Sequence, residues 1–134
     1  MILGIGTDIV DERRISRSIE RFGDRFLTRI FTDAERATAD LRGMPGLYFA
    51  KRFAAKEAVY KALTGAGVAG MGWRDAEISN LAGGAPDLLL TGRCKMALER
   101  LTPDGYNAAV SLSLSDEPPY AVAFVVISAQ KQST

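Results

Sequence analysis

Between Phe49 and Leu63 the chain sets charged side chains where a core should form. With residues about 100° apart around a helix axis, Phe49, Phe53, Tyr60 and Leu63 fall on one stripe, the face expected to pack inward. Lys56 falls inside that stripe, Glu57 lies at its edge, and Lys61 follows one turn beyond Glu57. A lysine turned toward a core is costly unless an anion meets it. The segment therefore predicts a buried or ligand-covered anion site with a carboxylate beside it. Ala50, Ala54, Ala58 and Ala62 give the same helix a small-residue side that permits close packing.

The remaining pattern fills in around this helix. Ile2 to Val10 reads as a strand, with Leu3, Ile5, Thr7 and Ile9 on one face and Gly4, Gly6 and Asp8 on the other. Two glycines beside a carboxylate leave room either for a crowded packing contact or for a ligand. Asp11 can cap a helix starting near Glu12. Its apolar stripe is Ile15, Ile19, Phe22 and Phe26, while Arg14, Ser18, Arg21 and Arg25 form a separate stripe. Six arginines stand between Arg13 and Arg29 against only Glu20 and Asp24, which makes an acidic partner a fair hypothesis. Thr32-Asp33-Ala34-Glu35 has the form of a capping box and predicts a helix to about Leu41, broken by Gly43-Met44-Pro45-Gly46. Gly65 is the expected cap at the end of the long helix.

Further on, Ala76–Asn80 and Asp87–Thr91 are short strand candidates around a Gly83-Gly84 turn. Arg93–Leu101 reads as a helix with Met96 and Leu101 inward, and Ala109–Ser115 and Tyr120–Ser128 as a hairpin. The expectation is one α+β domain, residues 1–129, with a frayed tail over 130–134.

Composition removes whole classes of chemistry. With no histidine and one cysteine, imidazole acid–base work, His-based triads and zinc sites are excluded. A metal would have to be a hard, oxygen-ligated ion, magnesium above all. A net charge of +1 argues against bulk polyanion binding. The longest apolar run, Ala121 to Ile127, is too short to span a bilayer, and Asp8 comes early for a signal peptide. A lone Cys94 fits a reducing compartment, so a cytoplasmic, soluble protein is expected.

Asp8, Lys56, Glu57 and Lys61 carry the candidate chemistry. Two carboxylates from separate elements can hold one magnesium ion, and lysines beside it can neutralise phosphate oxygens. Those are the parts that phosphoryl transfer needs. The plainer alternative for Glu57 and Lys61 is an i,i+4 ion pair on a helix surface.

Two segments resemble a known family. Gly4-Ile5-Gly6-Thr7-Asp8-Ile9-Val10 with Arg14 is similar to the first signature of the holo-[acyl-carrier-protein] synthases. Arg52-Phe53-Ala54-Ala55-Lys56-Glu57-Ala58 with Lys61-Ala62 is similar to the second. Weaker likeness covers the Gly84-Ala85-Pro86 turn and the closing hairpin. The resemblance implies a 4′-phosphopantetheinyl transferase fold, an antiparallel sheet packed against a long central helix. It implies magnesium-dependent transfer of phosphopantetheine from coenzyme A to a serine of apo-acyl carrier protein, releasing adenosine 3′,5′-bisphosphate. Small members are typically homotrimers with interfacial active sites.

By that similarity Asp8 and Glu57 bind the metal and Lys61 meets the pyrophosphate, while Arg52 and Lys56 are candidates for coenzyme A phosphates. Arg14 lies in the matched motif as a carrier-protein contact, and Arg21 and Arg25 join it from the stripe. The serine proton would go to Glu57 or to water held by the metal. One position departs from the family: Leu114 follows Ser111-Leu112-Ser113 where a histidine is common. Two other classes compete with the transferase. One is a non-catalytic module that binds acidic proteins through the arginine helix. The other, a nucleic-acid-binding domain, is disfavoured by the near-zero net charge.

Overall fold

The computed structural model describes residues 1–40 and 45–133. Strand β1 (Ile2–Asp11) leads into α1 (Glu12–Phe22), α2 (Asp24–Ile30), α3 (Asp33–Ala39) and the long α4 (Pro45–Leu63). The short strands β2 (Ala76–Asn80) and β3 (Pro86–Leu90) pair with each other, then come α5 (Gly92–Leu101) and the long hairpin β4 (Tyr106–Glu117) and β5 (Tyr120–Lys131). The main sheet is antiparallel in the order β1-β5-β4, with Asp8 opposite Ala123 on β5.

Helix α4 lies across this sheet and is buried on nearly every side, from Tyr48 and Phe49 to Leu63. The single inward stripe expected from Phe49, Phe53, Tyr60 and Leu63 is thus too narrow, because the alanine side is covered as well. The cover is β1. A Cβ on Gly4 would overlap the carbonyl oxygen of Ala62, and one on Gly6 that of Ala58. The two glycines therefore serve a crowded packing contact, and this brings β1 and α4 together next to Asp8.

Several local expectations change in the fold. Asp11 caps α1, its carboxylate accepting from the Arg13 N–H at 2.9 Å. The arginine stripe is interrupted, because Gly23 takes a positive φ of 57° and starts a new helix at Asp24. Phe22 consequently leaves the core and is 50% exposed. The capping box on Thr32 and Glu35 forms as expected; the predicted helix end at Leu41 and the Gly43-Met44 break lie outside the described residues. Gly67, with φ 67°, rather than Gly65 takes the left-handed position after α4 and a short 3-10 turn. Met96 points outward, and Cys94 and Ala97 fill the inward face of α5. Gln130 and Lys131 continue β5, paired with Asn107 and Tyr106, where fraying was expected. The outer face of the sheet stays bare, with Ile5 and Ile9 of β1 and Phe124 of β5 all exposed.

Candidate active site

The close seat of α4 on β1 sets Asp8 beside the helix turn that carries Glu57 and Lys61. Lys61 Nζ donates to Asp8 Oδ1 at 3.1 Å and to the Thr7 carbonyl at 2.9 Å. The pair sits at the surface edge of the α4–β1 seam, with the Asp8 side chain 17% exposed and that of Lys61 55%. Partial burial pushes the Glu57 carboxyl above its ordinary range, and the nearby Asp8 charge pushes it the same way. Lys61 and Arg14 pull in the opposite direction. Three sequence candidates, Asp8, Glu57 and Lys61, are thus brought together from two elements.

This donor set fits a small hard cation. A carboxylate whose ionisation is opposed by burial and by a neighbouring carboxylate is what such an ion neutralises. Among the described residues no group of three Asp, Glu, His or Cys side chains forms a complete cage. Water and substrate oxygens would complete the shell, the usual arrangement for magnesium at phosphates.

Lys56 is not part of this site. Its ammonium is fully buried and ion-paired to Glu35 Oε1 at 2.9 Å. It also donates to the carbonyls of Trp73 at 3.0 Å and Ala76 at 2.5 Å. Three donors meet three protein acceptors, which corrects the expectation that Lys56 meets a coenzyme A phosphate. Burial pushes the Lys56 ammonium toward neutrality, and Glu35 opposes that shift. Glu35, itself 1% exposed, is the anion that the core lysine required. Its remaining capacity is taken by the backbone N–H groups of Thr32 at 2.9 Å and Ile78 at 3.1 Å. The capping-box spacing identified Glu35 as a helix cap but carried no sign that its carboxylate is buried.

Arg52 is 4% exposed, lies over the Tyr48 ring at 4.0 Å and donates to Asn80 Oδ1. Its Nε is buried with no hydrogen-bond acceptor among the described residues. Leu114 faces the inner side of the sheet opposite Ala123 and packs on the core. At the position where a histidine is common, this chain has a packing residue. Arg14 and Arg21 line one groove on α1, and Arg25 lines the next with Phe22 between them. The cationic tract thus survives the break at Gly23.

Comparison with known proteins gives the family and the fold. The pattern of the 4′-phosphopantetheinyl transferase superfamily matches residues 4–125. This chain belongs to that superfamily. A holo-[acyl-carrier-protein] synthase of Xanthobacter autotrophicus is 56% identical over 130 residues, 96% of each chain. One of Methylorubrum extorquens is 55% identical over the same length, 96% of this chain and 95% of the other. Among solved structures, the holo-[acyl-carrier-protein] synthase of Neisseria meningitidis superposes with a TM-score of 0.78 at 40% identity, over 96% of this chain and 99% of the other. That of Helicobacter pylori, in complex with coenzyme A, gives 0.74 at 30%, over 92% and 99%. The superfamily fold expected from the two signatures, α+β with an antiparallel sheet on a long helix, is the fold observed. The chain is an enzyme of the holo-[acyl-carrier-protein] synthase type.

Proposed function

We propose that the chain transfers the 4′-phosphopantetheine arm of coenzyme A to a serine of an apo-acyl carrier protein, releasing adenosine 3′,5′-bisphosphate. The observation that carries the reading is the meeting of Asp8, Glu57 and Lys61 at one edge of the α4–β1 seam. Asp8 and Glu57 would hold magnesium, which when bound would supply charge neutralisation at the pyrophosphate. The serine oxygen forms a bond to the phosphorus that bears pantetheine. The bond from that phosphorus to the bridging pyrophosphate oxygen breaks, and its electron pair leaves with the nucleotide. Lys61, on a flexible and half-exposed side chain, meets the leaving oxygens. With no histidine in the chain, the serine proton goes to Glu57 or to water held by the metal.

Arg52 offers its unpaired Nε to a phosphate of coenzyme A. The tract of Arg14, Arg21 and Arg25, all exposed, with Phe22 at its centre, receives the acidic carrier protein. The bare sheet face of Ile5, Ile9 and Phe124 suits self-association, and a homotrimer with shared active sites covers it. Among the described residues no helix is long and apolar enough to cross a membrane; the proposed setting is the cytoplasm.

The test is intact-mass analysis of apo-acyl carrier protein incubated with the enzyme and coenzyme A. A mass gain that needs magnesium is expected. No gain on a carrier protein that another transferase modifies would overturn the reading.

A further inference from the structure

Arg14 is held by a structure that the reaction itself does not require. Its guanidinium lies 5.4 Å from the centroid of the Phe53 ring, within the range where a cation is attracted to a ring face. Trp73 stacks on the same ring, with centroids 5.1 Å apart and planes 23° from parallel. Phe53 thus contacts both the Arg14 guanidinium and the Trp73 ring. Trp73 is fixed in turn. Tyr60 meets its ring edge-on at 5.4 Å, the Tyr60 hydroxyl donates to the Gly72 carbonyl, and Lys56 holds the Trp73 carbonyl. Phe53 is 6% exposed and immobile on α4, whereas Arg14 is exposed on α1.

A guanidinium lying on a ring keeps the N–H groups of its edge directed outward for a carboxylate. An exposed arginine otherwise spends much of its time in other rotamers, and ordering it on binding costs free energy. We propose that Trp73 and Phe53 are positioning residues for carrier-protein recognition: they pre-order Arg14, near Glu57, for a carboxylate of the acidic carrier protein. The proposal rests on the reading of Arg14 as a carrier-protein contact. It assigns a binding role to Trp73, which lies outside both signature segments and in a turn after α4.

The experiment is steady-state transfer to apo-acyl carrier protein with Trp73→Leu, Trp73→Phe and Arg14→Ala, singly and combined. Phe53 is a poorer probe because its burial puts folding at risk. Trp73→Leu keeps the Phe53 ring but frees it to move under Arg14, so the KM for carrier protein rises about two- to threefold, part of the worth of one exposed cation–ring contact, and the KM for coenzyme A is unchanged. Trp73→Phe, which keeps a ring on Phe53, restores the value. In the Arg14→Ala background Trp73→Leu has no further effect. A merely structural Trp73 lowers Tm without this split between the two KM values. The proposal is overturned if the Trp73→Leu effect persists in full without Arg14, or falls equally on both substrates. If Arg14→Ala itself leaves the carrier KM unmoved while transfer proceeds, the docking role of Arg14 fails and this inference with it; the metal-site reading is judged separately, by transfer itself.

Discussion

Replacing Lys56 by methionine separates a lysine that builds the fold from one that binds substrate. The substitution keeps an unbranched side chain one atom shorter and removes the ammonium from Glu35, Trp73 and Ala76. Removing one member of a buried ion pair typically costs about 3–5 kcal/mol, since the other charge stays uncompensated. Glu35 keeps two backbone donors, from Thr32 and Ile78, which places the expected loss near the lower end, about 3 kcal/mol. For a chain of 134 residues the unfolding entropy is about 0.28 kcal/mol/K, so Tm falls by about 11 °C. The comparison is made at one protein concentration, because the proposed self-association would add its own stability. Adding Glu35→Gln removes the orphaned charge but keeps an acceptor for only one of the two amides, because Thr32 N–H bonds Oε1 and Ile78 N–H bonds Oε2. The double variant should recover only about 1 kcal/mol of the loss, the relief of the orphaned charge being offset in part by the unpaired amide. Tm is read by differential scanning calorimetry and the KM for coenzyme A by transfer assay below Tm. The reasoning fails if Lys56→Met leaves Tm in place and raises the KM for coenzyme A tenfold. That outcome would mean that the ammonium reaches a phosphate.

Other perturbations test neighbouring claims. Gly6→Ala sets a methyl group against the Ala58 carbonyl; neither backbone can yield locally, so a loss of about 3 kcal/mol is expected in urea unfolding. The raised Glu57 carboxyl means that the folded chain binds its proton more tightly than the unfolded one. Stability from this group is therefore present at low pH and lost as pH rises through the ordinary glutamate pKa toward the higher folded value. Metal-free Glu57→Gln should be more stable than wild type at neutral pH, with the gap closing on acidification and transfer activity abolished; a pH-independent gap in a thermal scan would contradict this. Arg21→Glu should raise the KM for carrier protein at least about tenfold, steeply at low salt, by setting a like charge against an acidic partner. The KM for coenzyme A should stay as it is.

Short-range signals in the chain were legible and translated directly. The Asp11 cap, the Thr32–Glu35 box and the alternation of the closing hairpin all depend on neighbours within a turn or on strand alternation. The misjudged positions share a cause. Phe22 continues the helical period of Ile15 and Ile19, yet the kink at Gly23 turns it to the surface. Met96 is apolar but lies on the outer side of α5, because the space beneath that helix admits Cys94 and Ala97. Periodicity predicts which residues share a face; it does not say which faces are covered.

The same division runs through the site. The sequence by itself placed Glu57 and Lys61 one turn apart on a helix and Asp8 beside two glycines, which sufficed to name a carboxylate pair and a cation. It also stated that the lysine in the apolar stripe needs an anion. Only the tertiary structure decided that this anion is Glu35, and that Lys56 is therefore a brace of the fold. Identical lysine chemistry suits a phosphate or a carboxylate. Which one is met depends on the elements that pack around α4, and burial and distance exist only once they have done so.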